Sequence, residues 1–231
     1  MRKYRALDLF CCAGGASMGL HRAGFEVVGV DTKPRDNYPF EVIKHDALGL
    51  TASHLAGFDF IWASPPCQGY SAMRHAPGAV GAERLIGATR DRLRRLDTVL
   101  WVIENVEEAA PYMRNPVMLC GSMFGLGAQG CRLQRHRLFE ANFHIPAPAC
   151  SHDERPVIGV YGGHARKRSA LAGGRGTRDV WEGGHKAAAS EALGIDWMTL
   201  GEMSEAIPPA YAEFIGRAAI ARMEAERAEA A

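Results

Sequence analysis

Three stretches of the sequence hold residue types that can do covalent and proton chemistry. In Ser64-Pro65-Pro66-Cys67-Gln68-Gly69-Tyr70-Ser71 a thiol follows two prolines. Each proline fixes φ and removes a donor, so the turn is stiff and Cys67 has a defined position. A cysteine kept for packing acts as a small hydrophobe and needs no such approach, so Cys67 reads as a nucleophile. Glu104-Asn105-Val106 follows the apolar run Trp101-Val102-Ile103. A carboxyl there is costly unless it has an ion-pair partner or a catalytic task. Arg135-His136-Arg137 sits in an alternating run, residues 133–143. The alternation predicts one strand, with Arg135 and Arg137 on one face and His136 opposite. Such a pair of guanidiniums suits a carboxylate, a phosphate or a base carbonyl, or else marks a solvated basic strand.

A second group suits a nucleoside-like ligand. Asp8-Leu9-Phe10-Cys11-Cys12-Ala13-Gly14-Gly15 reads as a glycine turn between strand and helix, where backbone and ligand can approach closely. Its spacing is not the dinucleotide G-x-G-x-x-G, which disfavours a nicotinamide enzyme. Asp31 ends a strand, where a carboxylate can accept both ribose hydroxyls or simply face solvent at a turn. Asp46 either accepts from an adenine amino group or caps a turn. No metal site is expected: Cys150-x-His152 with Cys131 or His144 fits no zinc template.

These residues need elements to position them. Strands are expected at residues 4–10, 25–30, 41–44, 58–62 and 99–103, and helices at 17–23 and 83–96. Strands alternating with helices imply an α/β fold with a mostly parallel sheet, which binds ligands at strand carboxyl ends. Asp31, Asp46, Cys67 and Glu104 all fall at or just after such ends. Residues 68–81 form a polar loop beside Cys67 that could close over a large substrate. Residues 159–184 hold eight glycines, and five bases without an acid lie within 163–178. That region reads as a loop-rich insert. A helix at 210–229 follows Pro208-Pro209, with residues 223–231 fraying.

Composition narrows the class. The 231 residues are 47% hydrophobic and 23% charged, which excludes a disordered chain. Lys+Arg 27 against Asp+Glu 26 excludes histone-like binding by bulk charge but permits a local basic patch. No run reads as a membrane span or a secretory signal. Six cysteines are too sparse for a disulfide scaffold, so a reduced, cytoplasmic protein is expected.

The order of motifs carries the strongest signal. A glycine turn, two acidic strand ends, Pro-Pro-Cys-Gln, Glu-Asn-Val and Arg-x-Arg, then Ala206-Ile207-Pro208-Pro209 before a helix, resembles the DNA (cytosine-5) methyltransferase family. The resemblance covers nearly the whole chain except the glycine-rich insert, and looks most like short phage or prophage members. It implies a Rossmann-like methyltransferase fold with helices on both sheet faces, and S-adenosyl-L-methionine as cofactor. Phe10 would pack on the adenine, with Ala13, Gly14 and Gly15 facing the methionine part. Asp31 would hold the ribose and Asp46 the adenine amino group, with Pro65 and Ala206 completing the site. Cys67 would add to C6 of a flipped-out cytosine. Glu104 would contact N3, Arg137 O2, and Arg135 would support Glu104 or the cytosine. Gln68, Tyr70, Ser71 and Arg74 of the loop, and Arg166, Lys167, Arg168, Arg175 and Arg178 of the insert, would meet double-stranded DNA.

The implied organisation is a catalytic domain at 1–145, a recognition region at 146–190 and a return segment at 191–231, acting as a monomer in restriction-modification or phage DNA methylation. A tRNA cytosine-5 methyltransferase is the nearer rival, and a non-enzymatic DNA-binding relative the more distant one. Amino-methyltransferases are disfavoured, because Cys67 stands where they need an aromatic. Four positions depart from the family pattern: Cys12 for glycine, Thr32-Lys33-Pro34 for an aromatic, Leu133 for Gln, and Ser204-Glu205 for Gly-Asn. Cys12 would be strained if its φ is positive.

Overall fold

The computed structural model describes residues 3–71, 82–169 and 181–230. The apolar runs near the N-terminus form β1 (Arg5–Leu9), β2 (Glu26–Asp31), the short β3 (Glu41–Lys44), β4 (Phe60–Ala63) and β5 (Leu100–Asn105). All pair in parallel. Between them come α1 (Gly15–Ala23), α2 (Ala52–Leu55) and α3 (Ile86–Leu93). The chain continues through β6 (Val117–Leu119), β7 (Gly127–Ala128), β8 (Cys131–Leu133), β9 (Arg137–Ala141), β10 (Val157–Tyr161) and β11 (His164–Arg168). It ends in α4 (Gly184–Leu193), α5 (Leu200–Glu205) and α6 (Pro209–Glu229).

The main sheet has the order β3-β2-β1-β4-β5-β9-β6, and β9 alone runs antiparallel to its neighbours. Alternate residues of the central strands feed two cores. Leu7, Leu9, Ile61 and Ile103 pack with Ile86 and Leu93 of α3 on one face. Ala6, Phe60, Trp62 and Val102 pack with Leu20 of α1 and Ile215 of α6 on the other. Burial on both faces is what a parallel sheet with crossover helices requires. The strand order turns outward on either side of β1 and β4, and the crevice at that switch point is the expected ligand site. No helix among the described residues is long and apolar enough to cross a membrane.

A second, four-stranded sheet has the order β11-β10-β8-β7 and packs Ile158, Val160 and Ala165 against Ala188, Ala192 and Leu193 of α4. It corrects the sequence reading in three ways. The run 133–143 is not one strand: β8 belongs to the small sheet, β9 to the main sheet, and residues 134–136 cross between them. The small sheet starts at Gly127, well before the expected boundary at 146. Residues 157–168 are a hairpin rather than a loop-rich insert. Its two-residue turn, Gly162-Gly163, has φ of 57° and 73°, the left-handed pair that a tight hairpin demands.

Helix ends also differ from the expectation, most clearly at α3 and α6. α3 starts at Ile86 rather than 83, because the Ile86 amide donates to Tyr70 Oη at 3.0 Å and Arg84 Nε to the Gly69 carbonyl at 3.0 Å. α6 stays helical to Glu229. Arg222–Glu226 pairs within its last turns, and Arg227 lies 4.5 Å over the Tyr4 ring.

Candidate active site

The registers Leu9↔Val30, Leu9↔Ala63 and Ala63↔Ile103 bring the carboxyl ends of β1, β2, β4 and β5 to one edge. Phe10, Asp31, Ser64 and Glu104 therefore rise side by side around a cavity of about 520 Å³. Residues 204–207, the end of α5 and the two residues after it, form part of its wall.

One half of the cavity is built on the glycine turn. Phe10 and Cys12 have φ of 63° and 46°. These left-handed conformations cost on the order of 1–3 kcal/mol each and cluster at functional sites. They turn the Cys12 amide back onto Asp31 Oδ2 at 3.0 Å, while Asp31 Oδ1 accepts from the Lys33 amide at 2.8 Å. A carboxylate has further lone pairs, so Asp31 can still accept from a ligand diol. A Cβ on Gly15 would strike the Ile207 carbonyl, so only glycine fits there. Trp197 Nε1 donates to the Ala13 carbonyl at 2.8 Å, holding the late segment over the turn. Beneath it Asp8 is buried; Ser17 Oγ donates to Oδ2, and Oδ1 has no partner among the described residues. Burial pushes the Asp8 carboxyl up to about 7. Pro65 and Ala206 border the cavity, whereas Gly14 caps α1. Asp46 does not border it either: exposed, it accepts from the Leu48 amide at 3.0 Å to cap a short turn, and Ala47 is the residue that lines the wall.

The other half holds the reactive groups. Glu104 Oε1 lies 3.3 Å from Arg137 Nε, and both border the cavity with Cys67. Burial raises the Glu104 carboxyl above the usual range, with Arg137, Ser64 and Arg135 opposing. Burial and then the Glu104 charge push the Cys67 thiol up, with Arg137 opposing. The two titrations are thereby linked: protonating Glu104 removes the negative charge that disfavours a Cys67 thiolate. Asn105 Nδ2 donates to the Pro65 carbonyl at 2.9 Å, a bond that sequence reasoning left without a role.

Arg135 departs from expectation. It is wholly buried and does not border the cavity. Nη1 donates to the Val160 carbonyl at 3.0 Å, Nη2 to the Ser204 carbonyl at 2.8 Å, and the Arg135 carbonyl accepts from Tyr211 Oη at 2.6 Å. It braces β10 and α5 against the segment that carries Arg137, a positioning task rather than a contact with Glu104 or a base.

Residues 4–112 match the family model described as C-5 cytosine-specific DNA methylase. This stretch belongs to that family. The chain is 32% identical over 74 residues to the Type II methyltransferase M.FnuDI of Fusobacterium nucleatum, covering 29% of this chain and 22% of the relative. It is 35% identical over 79 residues to the Type II methyltransferase M1.HphI of Haemophilus parahaemolyticus, covering 28% and 21%. These matches span about a fifth of each relative's length. Two solved structures share the fold: the S. pombe Dnmt2 methyltransferase, with a TM-score of 0.62 at 12% identity, and the Entamoeba histolytica methyltransferase EhMeth, with 0.61 at 10%. Each covers 96% of this chain, which covers 99% of theirs.

The cofactor implied by the cytosine-5 methylase family and this fold is S-adenosyl-L-methionine, and the residues present fit it. Asp31 keeps acceptor capacity for a ribose, Phe10 offers an apolar wall, and the close Gly15–Ile207 approach leaves backbone rather than side chain at the glycine turn. The strain anticipated at Cys12 is present in this methylase domain. Leu133 is simply core, in the small sheet. Glu205 borders the cavity.

The residues expected at nucleic acid separate into groups. Gln68 and Ser71 border the cavity mouth. Tyr70 is buried instead, its hydroxyl on the Ile86 amide and its ring 5.1 Å from Tyr112. Arg166, Lys167 and Arg168 lie on β11, whose alternation puts Arg166 and Arg168 on one face with Tyr161 and Lys167 on the other. Arg74, Arg175 and Arg178 lie outside the described residues.

One grouping was half seen. Cys150 and His152 do converge with a further Cys–His pair, but it is Cys120 and His136 rather than Cys131 or His144. No spacing template joins these four, because they come from three separate segments.

Proposed function

We propose that this chain is a DNA cytosine-5 methyltransferase that acts through a covalent Cys67 adduct. The observation that carries the proposal is the shared cavity: Cys67, Glu104 and Arg137 border the same space as Asp31 and the glycine turn. S-adenosyl-L-methionine, when bound there, supplies an electrophilic methyl group. Asp31 holds its ribose, Phe10 flanks its base, and Ala13, Gly15, Pro65 and Ala206 shape the rest of the wall.

C5 of cytosine is a poor nucleophile until C6 is attacked. The Cys67 thiolate forms a bond to C6, and the ring electrons move toward N3 and O2. Glu104, whose burial favours the protonated form, donates at N3, and Arg137 donates at O2. The enamine-like C5 then takes the methyl group; a water accepts the C5 proton as the C6–S bond breaks and Cys67 leaves as a thiolate. The N3 proton then passes back to the Glu104 carboxylate, so the acid is regenerated. The target base must leave the stack, at roughly a few kcal/mol. Gln68 and Ser71 at the mouth, with Arg166 and Arg168 on the hairpin, are the groups we assign to the displaced strand and its phosphates. In this reading the protein acts as a monomer on double-stranded DNA.

The test is a duplex containing 5-fluorocytosine, whose fluorine blocks release of the enzyme. Peptide mapping should find the adduct on Cys67, and Cys67→Ser should abolish it while cofactor still binds. An adduct on another cysteine would remove Cys67 as nucleophile, and trapping only by fluorinated tRNA would move the substrate to RNA.

A further inference from the structure

Cys120 follows β6, His136 lies in the crossing between β8 and β9, and Cys150 and His152 lie in the stretch 142–156, which has no helix or strand. Their four ligand atoms all fall within 4.8 Å of one another. His152 Nε2 is 3.4 Å from Cys120 Sγ and 3.1 Å from Cys150 Sγ, and His136 Nε2 is 3.7 Å from Cys150 Sγ. Zinc binds thiolate at about 2.3 Å and imidazole at about 2.0–2.1 Å, so a tetrahedron places neighbouring ligand atoms about 3.3–3.8 Å apart.

We propose that Cys120, His136, Cys150 and His152 form a structural zinc site. The donor set is the Cys₂His₂ combination of closed, four-coordinate sites, with no position left for a reacting water. Surrounding contacts orient the ligands. Glu107 Oε2 lies 3.1 Å from His136 Nδ1, the carboxylate–histidine arrangement that leaves Nε2 free to bind metal. Ser122 Oγ donates to Cys120 Sγ at 3.3 Å. Both cysteines are free thiols, and the histidine ring nitrogens near them have no role in a disulfide.

The position gives the metal a consequence. His136 sits between Arg135 and Arg137 in the short crossing from the small sheet to the main one. A metal there pins that crossing, and with it the placement of Arg137 against Glu104. It also anchors residues 142–156, which form no helix or strand, to the end of β6. Metal binding at these four side chains does not depend on which nucleic acid is the substrate.

Elemental analysis of the full chain purified without chelator tests it directly. One zinc per chain is expected, removable by a strong chelator. Metal-free wild-type protein titrated with Co²⁺ alone should develop the intense visible bands of tetrahedral, thiolate-bound cobalt, saturating at one equivalent and bleached by Zn²⁺. His152→Ala, at the exposed rim, should lose stoichiometric zinc with its far-UV spectrum kept, and Glu107→Gln should weaken Zn²⁺ binding by about 10-fold. Wild-type protein with little zinc and only the pale spectrum of octahedral cobalt would overturn the proposal. So would full zinc occupancy in Cys150→Ser, or a Cys120–Cys150 disulfide found by mass spectrometry under non-reducing conditions. Should a cysteine variant fail to fold, the wild-type cobalt titration decides by itself.

Discussion

The Asn105 side-chain amide donates to the Pro65 carbonyl at 2.9 Å, in the buried seam where β4 and β5 end. The same amide's oxygen accepts from the Val106 backbone at 3.0 Å, so both of its ends are engaged. The bond ties the Pro-Pro-Cys turn to the residue that follows Glu104. Nucleophile and acid are thereby held in one rigid unit across two strands.

Asn105→Ala should accordingly lower kcat by about 100-fold, the scale expected when a reacting group shifts by about 1 Å. Cofactor affinity should stay within about threefold, since Asn105 does not border the cavity. Steady-state kinetics with calorimetric cofactor binding would check both. An unchanged kcat would show that the turn keeps its position without this bond.

Arg135 makes a prediction of a different kind. Arg135→Met leaves the buried Val160 and Ser204 carbonyls without their donor. The loss should destabilise the fold by about 2–4 kcal/mol, read by urea unfolding. Arg135→Lys should recover part of it, because one ammonium can reach one carbonyl but not both. Equal stability in all three proteins would remove the brace.

Asp8 makes stability depend on pH. Its folded-state carboxyl, raised by burial to about 7 from the ordinary 3.8, holds its proton more tightly than the unfolded chain does. The stability it contributes is therefore full below about pH 4 and is lost as pH rises through about 7. Three pH units of difference correspond to about 4 kcal/mol. Relative to Asp8→Asn, the wild type should lose stability of that order between pH 4 and pH 8. Parallel unfolding curves for the two proteins across this range would contradict it.

The hairpin offers a contrast between faces. If Arg166 and Arg168 meet phosphates, replacing both by alanine should reduce the salt slope of duplex binding by about 2, near one unit per contact. Lys167→Ala, on the opposite face of β11, should change that slope by less than about half a unit. Fluorescence anisotropy over a salt series measures both. Equal effects of all three bases would point to diffuse charge rather than a face.

The chemistry-bearing turns could be read from the sequence because each is local. A proline pair stiffens the residues next to it wherever they lie, and a carboxyl after an apolar run marks a strand end without knowledge of the strand's neighbours. The parallel sheet follows from the alternation of such runs with helical spacing, and parallel strands deliver their ends to one edge. Asp31, Cys67 and Glu104 were therefore placed at one edge by sequence alone, and all three border the cavity. Asp46 was drawn in by the same logic, yet β3 lies two strands out from β1 and the Asp46 side chain turns back to cap its own loop.

What the tertiary structure decided is everything that depends on partners far along the chain. Alternation across 133–143 suggested one strand, but the small sheet claims residues 131–133 and the main sheet 137–141, so the chain must cross between them. The crossing buries Arg135 against carbonyls from Val160 and Ser204 and leaves only Arg137 at the cavity. The Cys120, His136, Cys150 and His152 cluster arises the same way. A side chain's local pattern sets which way it can point; only the packing of distant segments sets what it meets there.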